Sequence, residues 1–192
     1  MTHLEKYNEM LVETNKAFNL TAHKTIEKSW LFNIQDSLLF NDEIAKYFKQ
    51  GAKVIDLGSG SGSPAIPLKL SFPQINLTMI DSTFKKVKFL RGVLEQLKLD
   101  GEVIHARIED YKGMFDIVTA RAVAPLNELV KLGFPLLKRG GILIAYKGRN
   151  YQDEINSAKH ILTRLRGKVI QIYEKALDAD VMRSLVIIKK IS

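Results

Sequence analysis

Three glycines at alternate positions, headed by an acid and set behind an apolar pair, carry the clearest chemistry in this chain: Val54-Ile55-Asp56-Leu57-Gly58-Ser59-Gly60-Ser61-Gly62. Val54-Ile55 reads as a buried strand and Pro64 as the opening of a helix. Glycines in the turn between them permit positive φ and let a ligand approach bare backbone. The turn therefore predicts a cofactor cradle at Gly58, Gly60 and Gly62. Asp56 narrows the ligand, because its charge repels a pyrophosphate and attracts an ammonium or a sulfonium. S-adenosylmethionine answers that description, and methyl transfer is the expected reaction. The dinucleotide fingerprint asks for glycine or alanine at its sixth position, where Ser63 stands. No Lys-Ser or Lys-Thr pair completes a P-loop, and no serine sits in a nucleophile elbow.

A second acid fits the same picture. The run Ile75-Asn76-Leu77-Thr78-Met79-Ile80 ends in Asp81, about 20 residues past the turn, where nucleotide folds place an acceptor for ribose hydroxyls. Asp81 either takes that role or caps the following helix. Ile108-Glu109 follows the apolar pair Val103-Ile104 and is expected to flank the adenine, since ligands of open α/β sheets lie outside the carboxyl ends of the strands.

Elements of two kinds must position these residues. Residues 1–50 read as helical throughout, from Leu4, Tyr7, Leu11 and Phe18 and from Ile26, Trp30, Ile34 and Leu38 at helical spacing. Residues 51–192 read as an α/β core. Strands are expected at 53–57, 76–81, 102–105, 115–120 and 141–146, with helix starts at Pro64, Thr83 and Pro125. Such alternation implies a parallel sheet covered on both faces. After a helix at 151–166, Val169-Ile170-Gln171-Ile172 and Leu185-Val186-Ile187-Ile188 read as two last strands. The connection at 176–183 is too short for a crossover helix, so they pair antiparallel. A mostly parallel seven-stranded, Rossmann-like sheet closed by such a hairpin is the class I methyltransferase architecture.

The 192 residues carry 29 Lys and Arg against 21 Asp and Glu, a net charge of +8, which favours a polyanionic partner. The chain has no cysteine, which removes disulfides and thiolate metal sites and suits a reducing cytoplasm. No apolar stretch approaches a membrane span, and residues 1–5 lack the apolar core of a signal peptide. His3, His23, His105 and His160 are scattered without ligand spacing, so no metal is expected.

The combination of motifs along nearly the whole chain resembles the RsmG (GidB) family, bacterial methyltransferases of N7 of guanine 527 in 16S rRNA. The resemblance rests on Asn19-Leu20-Thr21, Asp36-Ser37-Leu38, the Asp56 turn, Pro64-Ala65-Ile66-Pro67-Leu68, Asp81-Ser82 and Lys85-Lys86. It extends through Phe89-Leu90, Arg107-Ile108-Glu109, Thr119-Ala120-Arg121-Ala122, Lys147-Gly148 and Leu185-Val186-Ile187-Ile188-Lys189-Lys190. It implies cofactor contacts at Gly58, Ser63, Ile108, Glu109 and Arg121. The chain departs from the family in having Ala65 where glycine is usual, Ser63 where a larger residue is usual, and Phe32-Asn33 where a basic residue and histidine are common.

Guanine N7 offers an in-plane lone pair and no proton, so the reaction implied by the resemblance needs no general base. Arg121 and Lys147 follow apolar runs and are expected near the cleft as substrate-positioning donors to guanine O6 or a phosphate. Alternatively, Arg121 forms a structural ion pair with Asp36 or Asp116. Asn19 and Asp36 are expected to shape the cleft wall. Lys85, Lys86 and Arg149 are the expected phosphate contacts to 16S rRNA or the small ribosomal subunit. Phe32, Tyr146 and Tyr151 serve either base stacking or core packing. A monomer is expected. A small-molecule methyltransferase and a non-catalytic RNA-binding protein remain the alternatives of the same fold.

Overall fold

The computed structural model of the chain describes residues 1–191. Seven strands are present: β1 (Lys53–Leu57), β2 (Asn76–Asp81), β3 (Glu102–His105), β4 (Phe115–Arg121), β5 (Leu137–Lys147), β6 (Gly167–Asp178) and β7 (Val181–Lys190). They form one sheet in the order β3-β2-β1-β4-β5-β7-β6. The first five are parallel, whereas β7 runs antiparallel to β5 and to β6. The closing hairpin turns at residues 179–180, between the paired Asp178 and Val181. All seven expected strands occur, and β5, β6 and β7 are longer than their apolar cores suggested.

Alternation along the strands feeds two cores. Val54, Ile117, Leu185 and Ile187 face one side, where they meet Tyr7 and Leu11 of α1 (His3–Ala17), Ile66 and Leu68 of α5 (Ala65–Ser71), and Leu90 of α6 (Phe84–Leu97). Ile55, Leu57, Val118 and Val186 face the other, against Leu129 of α7 (Leu126–Gly133) and Ile161 of α8 (Tyr151–Arg164). The sheet is thus covered on both faces.

The N-terminal region departs from the expectation of helix throughout. After α1, which starts at a Thr2–Glu5 capping box, residues 18–25 form a non-helical loop. Asn15 causes the break, because its side-chain oxygen accepts the amides of Leu20 and Thr21 and its amide donates to the Thr21 carbonyl. Asparagine at a helix end offers backbone an alternative to the next helical turn. Leu20, 8% exposed, then plugs into the core. The chain resumes as α2 (Ile26–Ser29), widens into a π-helix over Trp30–Gln35, and returns to α3 (Asp36–Leu38), followed by α4 (Asn41–Ile44).

Candidate functional site

At the carboxyl ends of β1, β4 and β5, where the strand order reverses about β1, a cleft of about 670 Å³ opens between the sheet and the N-terminal region. Residues 58–61 and Ser63 form one wall. Residues 121–125, Lys147 and Gly148 form the base. Leu20, Thr21, His23, Phe32, Asn33 and Asp36 form the facing wall, joined by Arg183 of β7.

The three turn glycines all have positive φ but do different work. Gly58 has φ +56°, and a Cβ there would stand 3.2 Å from Val123. Gly60 has the same φ with nothing closer than 3.6 Å, so its bare face is open. Gly62 is no part of the cleft wall. A Cβ on it would meet Ile66 and Leu90 at 2.9 Å and the Tyr7 hydroxyl at 3.0 Å. It lets α1, α5 and α6 converge beneath the turn, a packing role that the sequence did not show. Tyr7 fastens this junction: its buried hydroxyl donates to the Ser61 carbonyl (2.8 Å) and lies 3.2 Å from Ser63 Oγ.

Asp56 is 1% exposed, so it stands behind the turn and outside the cleft wall. One oxygen accepts the Thr119 hydroxyl at 2.6 Å. The other, Oδ2, is buried with no hydrogen-bond partner among the described residues. Burial pushes the carboxyl up from 3.8 to about 6, against the downward pull of the Thr119 and Ser59 hydrogen bonds and of Arg121. An orphaned carboxylate oxygen behind open glycine backbone suits a cationic ligand, and the amino-acid tail of S-adenosylmethionine meets that requirement.

Asp81 is buried and also outside the cleft wall. Its two oxygens accept the amides of Gly60 (2.9 Å) and Thr83 (2.8 Å), so it ties the turn to the start of α6. Ile108 and Glu109 lie on a short 3-10 turn after β3 and do not line the cleft. Asn19 is exposed beyond the wall, where Leu20 and Thr21 stand in its place.

Arg121 ends β4, and Ala122 behind it turns the chain with a φ of 56°. The guanidinium donates to the Phe32 carbonyl at 2.8 Å and lies 3.4 Å from Asp36. Phe32 lies within the π-helical segment Trp30–Gln35, a form frequent at functional sites. Arg183, which sequence reasoning missed, donates through Nε to both Asp36 oxygens at 3.0 Å. Asp36, 5% exposed, therefore lies between two arginines, and the trio keeps one net positive charge on the cleft wall. The ion pair of Arg121 with Asp36 exists inside the cleft, so the two readings of Arg121 are compatible.

Lys147 projects into the cleft base but is already engaged. It donates to the Ala124 carbonyl (2.8 Å) and to Glu154 (2.6 Å). Glu154 also accepts the Leu126 amide, so the pair braces loop 122–125 against α7 and α8. Lys86 lines the rim, 3.9 Å from Asp81. Lys85 lies 5.0 Å over the exposed Phe18 ring. Arg149 is on the surface, bonded to the Asp180 carbonyl. Among the described residues no group of three or more His, Cys, Asp or Glu is placed to hold a metal, and no helix is long and apolar enough to cross a membrane.

The strand order, the antiparallel β7 and the glycine turn after β1 define a class I methyltransferase fold. A solved methyltransferase from Pyrococcus furiosus superposes with a TM-score of 0.65 at 15% identity, over 81% of this chain and 83% of that one. The family model of GidB, rRNA small subunit methyltransferase G, matches residues 1–183. Ribosomal RNA small subunit methyltransferase G of a Thermoanaerobacter species is 39% identical over 98% of this chain and 81% of its own length. That of Pediococcus pentosaceus is 39% identical over 99% and 82%. The chain belongs to the GidB family.

Proposed function

We propose that this protein transfers a methyl group from S-adenosylmethionine to N7 of a guanine in 16S rRNA of the small ribosomal subunit. The observation that carries the reading is the cleft itself: a glycine turn backed by a buried acid faces a basic wall across the strand ends. Family membership over residues 1–183 supports the ribosomal substrate. Bound S-adenosylmethionine supplies an electrophilic methyl carbon on a sulfonium.

Turn backbone at Gly58 and the open face of Gly60 hold the cofactor's amino-acid tail, with Asp56 as the charge behind it. Asp81 and residues 108–109, at the ends of β2 and β3, are assigned to its ribose and adenine. Arg121 borders both the turn and the helical wall, and Ser63 closes the turn. The guanine N7 lone pair forms the new bond to carbon while the sulfur–carbon bond breaks and its electron pair stays on sulfur. Positive charge passes from sulfur to the base and no proton moves, so no residue is needed as a base. Holding the reacting atoms in line supplies about 7–11 kcal/mol of barrier lowering. Arg121, Lys147 and Lys86 at the cleft, with Lys85 and Arg149 on the surface beyond it, place the RNA. The cleft is built within one chain, and we assign the enzyme a monomeric role in the cytoplasm, where ribosomal RNA is assembled.

The test is incubation of the purified protein with labelled cofactor and 16S rRNA from cells lacking the gene, followed by nuclease digestion and mass measurement. Label on a 7-methylguanine is the expected result. Label confined to small metabolites would establish a different substrate class, and no label with no calorimetric cofactor binding would exclude an enzyme.

A further inference from the structure

We propose that Phe32, stacked on His23, is the platform on which the target base lies, and that this aromatic face favours the methylated, cationic form of the base. The inference rests on the reading of the cleft as a guanine-N7 methylation site. Three aromatic residues were open from sequence as stacking partners, and their surroundings separate them. Tyr146 also lines the cleft, but it is only 5% exposed, belongs to one core and spends its hydroxyl on the Ser37 carbonyl. Tyr151 packs against the other core. Phe32 belongs to neither, lines the cleft, and meets His23 with ring centroids 4.4 Å apart and planes inclined by 16°. Phe32 is thus half-buried, its ring stacked on His23 and lining the cleft. A two-ring stack on the cleft wall can take a purine as its next member, and base–aromatic stacking is the common currency of single-stranded RNA recognition.

Position and charge agree. The backbone of Phe32 is held by Arg121, whose Nε and Nη2 have no partner among the described residues and are left to meet a base edge or phosphate. Methylation turns a neutral base into a cation, and the face of an aromatic ring attracts cations. The groups acting on His23 are Arg121, Asp36, Lys28 and Arg183; burial and then Arg121 hold its pKa below the ordinary 6.5. That biases the imidazole toward its neutral form, which spares the stack an opposing charge. Asp36, paired with both arginines, lowers the positive field that the product must face.

The experiment compares calorimetric binding of 7-methylguanosine monophosphate and GMP to wild type, Phe32→Leu and Phe32→Tyr near pH 7, with cofactor affinity measured in parallel. Wild type is expected to prefer the methylated nucleotide about two- to fivefold. Phe32→Leu should lose that preference, Phe32→Tyr should keep it, and all three should bind cofactor equally. Should Phe32→Leu fail to fold, His23→Ala carries the test, since loss of the backing ring must lower the preference. Equal binding of the two nucleotides by wild type, no binding of either, or a preference that survives Phe32→Leu overturns the proposal. Failure of the underlying reading shows differently, as a wild-type enzyme that binds cofactor yet methylates no rRNA.

Discussion

Asp56→Asn should make the protein more stable at alkaline pH while weakening its grip on the cofactor. The ionised carboxylate is 1% exposed and leaves one oxygen without a partner among the described residues. Its pKa rises from 3.8 to about 6. For an acid whose folded value is raised, the stabilising contribution is complete below the unfolded pKa and is lost as pH rises through the folded one. At pH 8 the loss is about 3 kcal/mol, and at pH 5 about half of it has accrued. Asparagine is nearly isosteric, keeps the acceptor for Thr119, and stays neutral throughout, at a cost of about 1–2 kcal/mol for the new amide's unmet donors. That cost is the same at both pH values, so it cancels in the comparison. The difference in unfolding free energy between variant and wild type should therefore shift in favour of the variant by about 1.5 kcal/mol from pH 5 to pH 8, or roughly 3–6 °C in Tm. Thermal unfolding of both proteins at the two pH values reads this directly. Calorimetry at pH 8 should show about 10- to 100-fold weaker cofactor binding, as expected for losing a charged hydrogen bond. A Tm offset identical at the two pH values would refute the buried-charge reasoning. Unchanged affinity at pH 8 would refute the assignment of the orphaned oxygen to the cofactor.

The turn glycines should separate by phenotype. Gly62→Ala, with a Cβ at 2.9 Å from Ile66 and Leu90, should cost about 1–3 kcal/mol of stability by overpacking. Gly60→Ala, with open space, should cost about 1 kcal/mol of backbone strain and act mainly on cofactor affinity; similar melting curves for the two would count against the division. Tyr7→Phe removes the hydroxyl that reaches Ser61 and Ser63, and a loss of about 1 kcal/mol in denaturant unfolding is expected. Lys147→Met should leave cofactor affinity largely intact and slow methylation of rRNA, because loop 122–125 loses its brace to Glu154; single-turnover rates equal to wild type would show that the brace is dispensable.

The sheet was legible because each strand carries a short apolar run, and because the connection read at 176–183 is too short for a crossover helix; the structure narrows it to a turn at 179–180. The position of the turn behind β1 was legible for the same reason, since strand, acid and glycines are contiguous. The packing constraint on Gly62 was not legible, because it comes from Tyr7, Ile66 and Leu90, which meet only in three dimensions. The break at residues 18–25 was hidden because helical spacing continues on either side of it, whereas Asn15 ends the helix through its side chain. Arg183 carried no local signal: it sits in a hairpin of alternating residues, and its role appears only when β7 lies beside β5. Phe32 read equally well as core until the cores were seen to close without it.

The clasp of Asp36 by Arg183 spans 147 positions of the chain. Asp36 stands on the helical wall that precedes β1, and Arg183 stands on β7, the last strand to join the sheet in chain order. A nascent chain halted before β7 would hold its glycine turn and its helical wall without the cross-tie that faces them toward each other. The cross-tie therefore belongs to the assembled sheet: until β7 has paired with β5, Arg183 has no fixed place from which to reach Asp36.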